Sequence, residues 1–306
     1  MANEDRAAQI AARVLKEPIT DCEAITGRGS VNLVYCVATP SQQVVVRMRE
    51  AGDARVEFGK EAWCYQRAGE AGIPGPRVLD VGEDDAGESL VLARVDGASG
   101  EDVPDALSVW RTLGGYARRI HAIPVSGFGN LVSDPGADTF GNGHAPSWEA
   151  QVAYNQAQLG LEDALIALGV YDAGEIEAIQ AAFAELAGCR FRFGLNHGDL
   201  SPRNVIVSPG GETFLLDWGC AHVHAVPHSD LLTLPDWQSP DDPTTAAFLA
   251  GYGLSRAEYE ALLPDLKRLA LLRAFDVTRW AIDQRPADVE AYAERAGQAW
   301  ESVSRR

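Results

Sequence analysis

The sequence predicts an α+β chain in two lobes: a β-rich N-lobe with one main helix over residues 1–95 and a mostly helical C-lobe over residues 96–306. Three observations carry this. Alternating apolar residues bounded by turn signals fill the first third in the order β-β-β-α-β-β. From Asp96-Gly97 onward the spacing turns helical, broken only by short strand-like segments. A chain of 306 residues with 46% hydrophobic and 23% charged residues suits about two domains with a real core.

Element by element, residues 4–16 read as a short amphipathic helix. Strands follow at 19–27, 31–38 and 42–49. Gly27-Arg28-Gly29-Ser30 separates the first two, and Thr39-Pro40-Ser41 makes a hairpin-like turn before the third. Residues 54–71 are helical, closed by Gly72 with Pro74 and Pro76 beyond. Strands at 77–82 and 88–95 are joined by the acidic stretch GEDDAGE. In the second lobe helical patterns cover 104–122, 147–168, 173–187, 243–251, 255–283 and 287–303, with strand-like segments at 204–208 and 213–217. The loop 129–147, rich in Gly, Asp and Asn, is expected to be mobile. There are no internal repeats.

The net charge is −18 and the pI about 4.7. That is the wrong sign for a polyphosphate backbone, so a nucleic-acid-binding module is excluded. Such a surface attracts cationic small molecules, and solubility is its simpler reading. Lysine occurs only at Lys16, Lys60 and Lys267, which leaves arginine to hold most anions. The five cysteines, Cys22, Cys36, Cys64, Cys189 and Cys220, form no C-x-x-C pair and are odd in number, as expected in a reducing compartment. The opening MANEDRAAQI lacks an apolar signal region, and no apolar run approaches the ~18 residues of a membrane span. A cytoplasmic protein without a membrane partner is expected. Nothing in the pattern tells its oligomeric state.

The strongest chemical signal is His197-Gly198-Asp199-Leu200-Ser201-Pro202-Arg203-Asn204, which runs into Val205-Ile206-Val207 and is followed by Leu215-Leu216-Asp217-Trp218-Gly219. An aspartate, four residues, an asparagine, then an aspartate after a hairpin is the layout of phosphoryl transfer. Asp199 would take the proton of an attacking hydroxyl, and Asn204 and Asp217 would offer hard oxygens to Mg²⁺. His197 would brace the loop. A turn and a lone strand-end carboxylate would produce either piece by chance, but not the whole string at this interval.

HGDLSPRN with LLDWG resembles the aminoglycoside phosphotransferase family, the small-molecule branch of the protein-kinase-like fold. Ile120-His121-Ala122-Ile123-Pro124-Val125, Gly127-Phe128-Gly129-Asn130, Ser147-Trp148 and Ser229-Asp230-Leu231 are similar to further family segments, so that the resemblance spans about residues 20–235. It implies a bilobal kinase-like fold and transfer of the γ-phosphoryl of ATP or GTP, with Mg²⁺, to a hydroxyl of a small, cationic acceptor. An aminoglycoside-type antibiotic is the first candidate, and the acidic balance agrees. Macrolides, peptide antibiotics and metabolites such as choline, homoserine or a sugar remain open. A nucleotide-binding pseudokinase is the rival from another class, and intact Asp199, Asn204 and Asp217 argue against it.

The resemblance also assigns the nucleotide site. The loop Gly27, Gly29, Ser30 and Asn32 would lay backbone N–H groups over phosphates; by itself it reads as an ordinary glycine hairpin. Arg47 stands where kinase-like folds place a lysine on the third strand and would fork onto the phosphates; alone it reads as a surface arginine. Its partner would be Glu61, with Glu57 one turn earlier as the alternative. The hinge would be Leu92-Ala93-Arg94-Val95, with backbone groups of Ala93 and Val95 reading an adenine edge. Arg203 would touch the γ-phosphate. Only 220–228 separate Asp217-Trp218-Gly219 from Ser229-Asp230, too few for the activation loop of a protein kinase. Acceptor-binding carboxylates are sought among Asp236, Asp241, Asp242, Asp283, Asp288 and Glu290. A competing constellation, Cys220, His222, His224 and His228, has ligands suited to zinc.

Overall fold

The computed structural model describes residues 3–26, 33–49, 58–134, 136–142 and 145–305. The chain forms two compact units, each discontinuous: Met1–Thr112 with Asp199–Ala221, and Leu113–Gly198 with His222–Arg306.

The first unit is built on a five-stranded antiparallel sheet. Its strands are β1 (Asp21–Ala24), β2 (Leu33–Ala38), β3 (Gln43–Met48), β4 (Val78–Asp84) and β5 (Gly87–Ala93), in the order β1-β2-β3-β5-β4. The pleat sends alternate residues to opposite faces. Val44, Val46 and Met48 of β3 are fully buried with Val37 of β2 against Ala7, Ile10 and Ala11, the apolar stripe of helix α1 (Asn3–Leu15). Arg47 therefore faces the other way, and there it meets helix α2 (Phe58–Glu70), its guanidinium 5.5 Å from the Phe58 ring centre.

After the sheet, β6 (Ala98–Ser99) pairs antiparallel with β11 (Val205–Val207), and β11 forms a hairpin with β12 (Thr213–Leu215). Gly97, at φ +157°, permits the approach: a Cβ there would lie 2.3 Å from the Val207 carbonyl oxygen. The Leu215 N–H donates to the Pro74 carbonyl (2.8 Å), tying the hairpin to the segment that follows α2.

The second unit is mostly helical. Helix α3 (Ala106–Ile120) leads into it; its later helices are α4 (Trp148–Gln158), α5 (Ala164–Ala167), α6 (Ile176–Gly188), α7 (His228–Leu231), α8 (Pro243–Tyr252), α9 (Arg256–Gln284) and α10 (Val289–Ser304). Trp148, Ile179, Phe183, Leu272, Phe275 and Trp300 fill its core. Two small ladders accompany them: β7 (Ser126–Gly127), β8 (Leu131–Asp134) and β9 (Thr139–Gly141) in one, β10 (Arg192–Asn196) and β13 (His222–Val226) in the other. Within the expected loop 129–147, Leu131–Asp134 and Thr139–Gly141 are thus paired strand. Among the described residues no helix is long and apolar enough to cross a membrane.

The helix expected over 147–168 is two. Ser147 caps α4 by accepting the Ala150 N–H (3.2 Å), and the chain then turns extended at Leu159 before Gly160. Asp163 restarts it by accepting the Leu165 N–H (3.1 Å) while also holding the Tyr171 hydroxyl (2.7 Å) and Arg279 (2.6 Å). A buried carboxylate with those partners serves as an N-cap, not as a mid-helix residue.

Candidate active site

Asp199, Arg203, Asn204, Asp217, Arg47 and Glu61 all fall in the first unit, and the structure brings them together as two linked groups. The first is local. A 3-10 turn at Pro202–Asn204 folds the chain back so that the Asn204 amide nitrogen donates to both the Asp199 carbonyl (2.8 Å) and its Oδ2 (2.9 Å). Arg203 donates to both Asp199 carboxylate oxygens (2.7 and 2.8 Å). With the nitrogen engaged, the Asn204 Oδ1 is the side-chain atom left to face a cation.

The second group hangs on Arg47. One guanidinium nitrogen donates to Glu61 Oε2 and the other to Asp217 Oδ1 (3.1 Å). Arg47 is 11% exposed and Glu61 fully buried, while the Asp217 side chain is half open. Burial pushes the Glu61 carboxyl up to about 7, against the pull of Arg47. Burial works against the Arg47 charge too, but Glu61 and Asp217 outweigh it and raise the guanidinium above its ordinary value. Arginine thus keeps its charge where a lysine would be open to losing it.

Asp217 has a left-handed backbone (φ 59°, ψ 74°), a conformation costing a non-glycine residue about 1–2 kcal/mol. Its surroundings hold it there. The Asp217 N–H donates to the Tyr65 hydroxyl oxygen (3.1 Å). Burial raises the Tyr65 phenol, so it stays neutral beside Glu61. The chain then closes a 3-10 turn, Trp218–Cys220, whose trailing carbonyls, Gly219 and Ala221, accept from Lys60 Nζ at 2.7 and 3.2 Å. No sequence motif marks Tyr65, and the place of Lys60 beside Glu61 does not tell what its ammonium holds. Both lie on the same helix as Glu61, and only the fold shows which loop that helix grips.

At the hinge, the Ala93 N–H donates to the Arg77 carbonyl (2.9 Å). The Arg94 N–H donates to Gln43 (3.2 Å). Among the described residues, no backbone hydrogen bond engages Val95. Gly27, Gly29, Ser30 and Asn32 lie outside the described residues, as does Glu57.

In the second unit, the Asp230 carboxylate is fully buried and accepts the N–H groups of His197 (3.1 Å) and Gly198 (2.7 Å) together with His121 Nε2 (3.0 Å). Burial acts to raise the Asp230 carboxyl, but these donors win and hold it below the usual range. The backbone N–H of His197 is thus one of the contacts that brace the loop. Of the acceptor-site carboxylates, Asp242 caps α8 through the Thr245 N–H (2.9 Å), and Asp241 pairs with Arg256. Asp288 lies 3.8 Å from Arg285. Asp236, Asp283 and Glu290 are exposed.

The zinc constellation is not assembled. Among the described residues no group of three or more His, Cys, Asp or Glu could hold a metal. His222 bonds Ser229 Oγ (2.8 Å), His224 packs 5.3 Å from the Phe128 ring, and His228 lies 4.9 Å from Phe191. Burial pushes His224 down to about 3 and His228 to about 4, leaving both as neutral aromatic filling. What read as ligand spacing is a strand followed by a short helix. For Mg²⁺ the donor set fits differently: one amide oxygen and one half-open carboxylate are hard ligands of the kind that leave room for phosphate oxygens and waters.

A kinase-like sheet with a buried arginine–glutamate pair, beside a loop that sets a carboxylate against an amide, is the arrangement of a phosphotransferase. The chain belongs to the phosphotransferase enzyme family: the family's sequence profile matches residues 22–272. It is 29% identical over 231 residues to an aminoglycoside 3'-phosphotransferase of Streptomyces fradiae, covering 69% of this chain and 77% of that protein. Its fold is that of solved aminoglycoside phosphotransferases. A thermostable mutant of APH(4)-Ia, in a ternary complex with AMP-PNP and hygromycin B, superposes with a TM-score of 0.69 at 19% identity, covering 98% of this chain and 99% of that one. The GDP complex of an aminoglycoside 2'-phosphotransferase-IIIa mutant gives 0.70 at 16% identity, covering 98% and 97%.

Proposed function

We propose that this phosphotransferase moves the γ-phosphoryl of ATP or GTP to a hydroxyl of an aminoglycoside-type antibiotic, inactivating it. The observation that supports this most is the Asp199 loop standing in one unit with the Arg47–Glu61–Asp217 chain of contacts. Asp199 takes the proton of the acceptor hydroxyl as its oxygen bonds to the γ-phosphorus and the bond to the bridging β,γ-oxygen breaks. Asn204 and Asp217 hold Mg²⁺, which when bound offsets the charge of the triphosphate. Arg47 has five N–H donors, and those not facing Glu61 and Asp217 meet the α- and β-phosphates. Gly27, Gly29, Ser30 and Asn32 cover the phosphates, with residues 1–95 as the nucleotide-covering lobe. Val95 offers its N–H, and Ala93 its carbonyl, to the purine edge.

Arg203, 59% exposed on its side chain, releases Asp199 to reach the γ-phosphate when nucleotide enters. Asp236, Asp283 and Glu290 are the carboxylates left for ammonium groups of the acceptor. The acidic net charge of −18 agrees with a polycationic acceptor, which it draws in at a distance. The relatives that act on or bind aminoglycosides point to the same class. Five cysteines that form no disulfide and a nucleotide donor suit the cytoplasm.

The test is mass spectrometry of a mixed panel of aminoglycosides and other hydroxylated antibiotics incubated with the enzyme, Mg²⁺ and either ATP or GTP. A phosphoryl mass gain on an aminoglycoside, absent with Asp199→Ala, is the expected result. A gain confined to another compound class overturns the acceptor assignment.

A further inference from the structure

Lys60 is one of three lysines in the chain, and it is 4% exposed. An ammonium is strongly hydrated and is seldom buried unless something needs its charge. Here its hydrogen bonds run to the Gly219 and Ala221 carbonyls, the trailing end of the turn that begins at Asp217. The Ala221 N–H closes that turn on the Trp218 carbonyl (2.9 Å), so carbonyls beyond it have no partner within the turn. Ala221 is fully buried, which removes water as an alternative.

Helix α2 therefore grips the Asp217 segment three times. Tyr65 takes its N–H, Glu61 acts through Arg47 on its carboxylate, and Lys60 anchors the turn behind it. Glu61 and Tyr65 are four residues apart on one helix face, and Lys60 reaches round with its long stem. Asp217 needs such support because its left-handed backbone is intrinsically unfavourable.

We propose that Lys60 is a positioning residue for Asp217, holding the metal-binding carboxylate in register by anchoring the two carbonyls behind it. This rests on the reading of Asp217 as a metal ligand. Without the ammonium the turn keeps its hydrophobic seat at the buried Trp218 but loses the restraint that fixes the rotation of Asp217.

The test needs no acceptor. Mn²⁺ is titrated into full-length enzyme holding AMP-PNP and followed by electron paramagnetic resonance, with thermal unfolding measured alongside. Lys60→Met and Lys60→Gln are expected to raise the Mn²⁺ Kd about ten-fold or more, and Lys60→Arg, which keeps a cation with donors, to restore much of it. Should Lys60→Met not fold, Lys60→Gln, whose amide still reaches one carbonyl, decides the matter. A variant that melts lower yet binds Mn²⁺ as the wild type does makes Lys60 a plain strut and overturns the proposal. Asp217→Asn separates the two ideas. Weak Mn²⁺ binding there beside normal binding in Lys60→Gln overturns the proposal alone. Normal binding in Asp217→Asn overturns the reading of the site, and the proposal with it.

Discussion

Arg47→Lys keeps the positive charge on β3 and removes the fork. In the structure two different guanidinium nitrogens serve two carboxylates, Glu61 and Asp217. A lysine has one nitrogen and cannot bridge them in the same way. It will stay with Glu61, because leaving that fully buried carboxylate unpaired is the costlier outcome. The hydrogen bond to Asp217 is then the one that breaks. A hydrogen bond between charged groups contributes about 1.5–3 kcal/mol. At about 1.36 kcal/mol per factor of ten, that is a fall of about 10- to 150-fold in kcat/KM. The assay is steady-state ADP release with the acceptor found in the panel, together with thermal unfolding to show that the variant is folded. A kcat/KM within about two-fold of wild type would refute the argument that Arg47 acts by joining the two carboxylates.

His224 and His228 have folded-state values of about 3 and 4 against an ordinary 6.5, so the unfolded chain binds protons more readily and stability falls as pH drops below about 6.5. Between pH 7 and pH 5 each costs about 2 kcal/mol, and the loss should shrink in the double variant His224→Phe/His228→Phe when urea midpoints are compared at the two values. An equal pH slope in both proteins would contradict the burial argument. Gly114→Ala should destabilise by about 1–3 kcal/mol, since its Cβ would lie 2.0 Å from the Phe248 carbonyl oxygen of α8. Gly69→Ala on α2, with nothing within 4 Å, should instead raise the melting temperature.

What the sequence shows and what it hides divide along physical lines. The strands of the first sheet are legible because each has one buried face, as Val44, Val46 and Met48 display. The C-terminal end of α2 and the start of α9 fall within a few residues of expectation because Gly72 and Ser255 punctuate the chain. The pairing of β10 with β13 is not legible: Arg192–Asn196 and His222–Val226 are short, and the histidines of the latter looked like ligands. The break at Leu159 depends on Asp163 finding Tyr171 and Arg279, both remote in sequence or invisible to local periodicity. In the site, Asp199, Asn204 and Asp217 stand out because phosphoryl transfer needs those atoms at that spacing. The roles of Lys60 and Tyr65 do not, because each acts on backbone groups, and a backbone carbonyl or N–H leaves no mark in the sequence; Asp230 falls in a recognisable segment, but its grip on the His197 and Gly198 N–H groups is equally unmarked.

In the proposed reaction Asp199 receives the proton of the acceptor hydroxyl. Asp199→Asn keeps the size of the side chain and an oxygen for Arg203, and removes the basicity. The measurement is its turnover on the acceptor found in the panel, together with its affinity for AMP-PNP. The expected kcat is lower by about 10²- to 10⁴-fold, with nucleotide affinity within about two-fold of wild type. Turnover within about ten-fold of wild type would contradict it and move the base elsewhere.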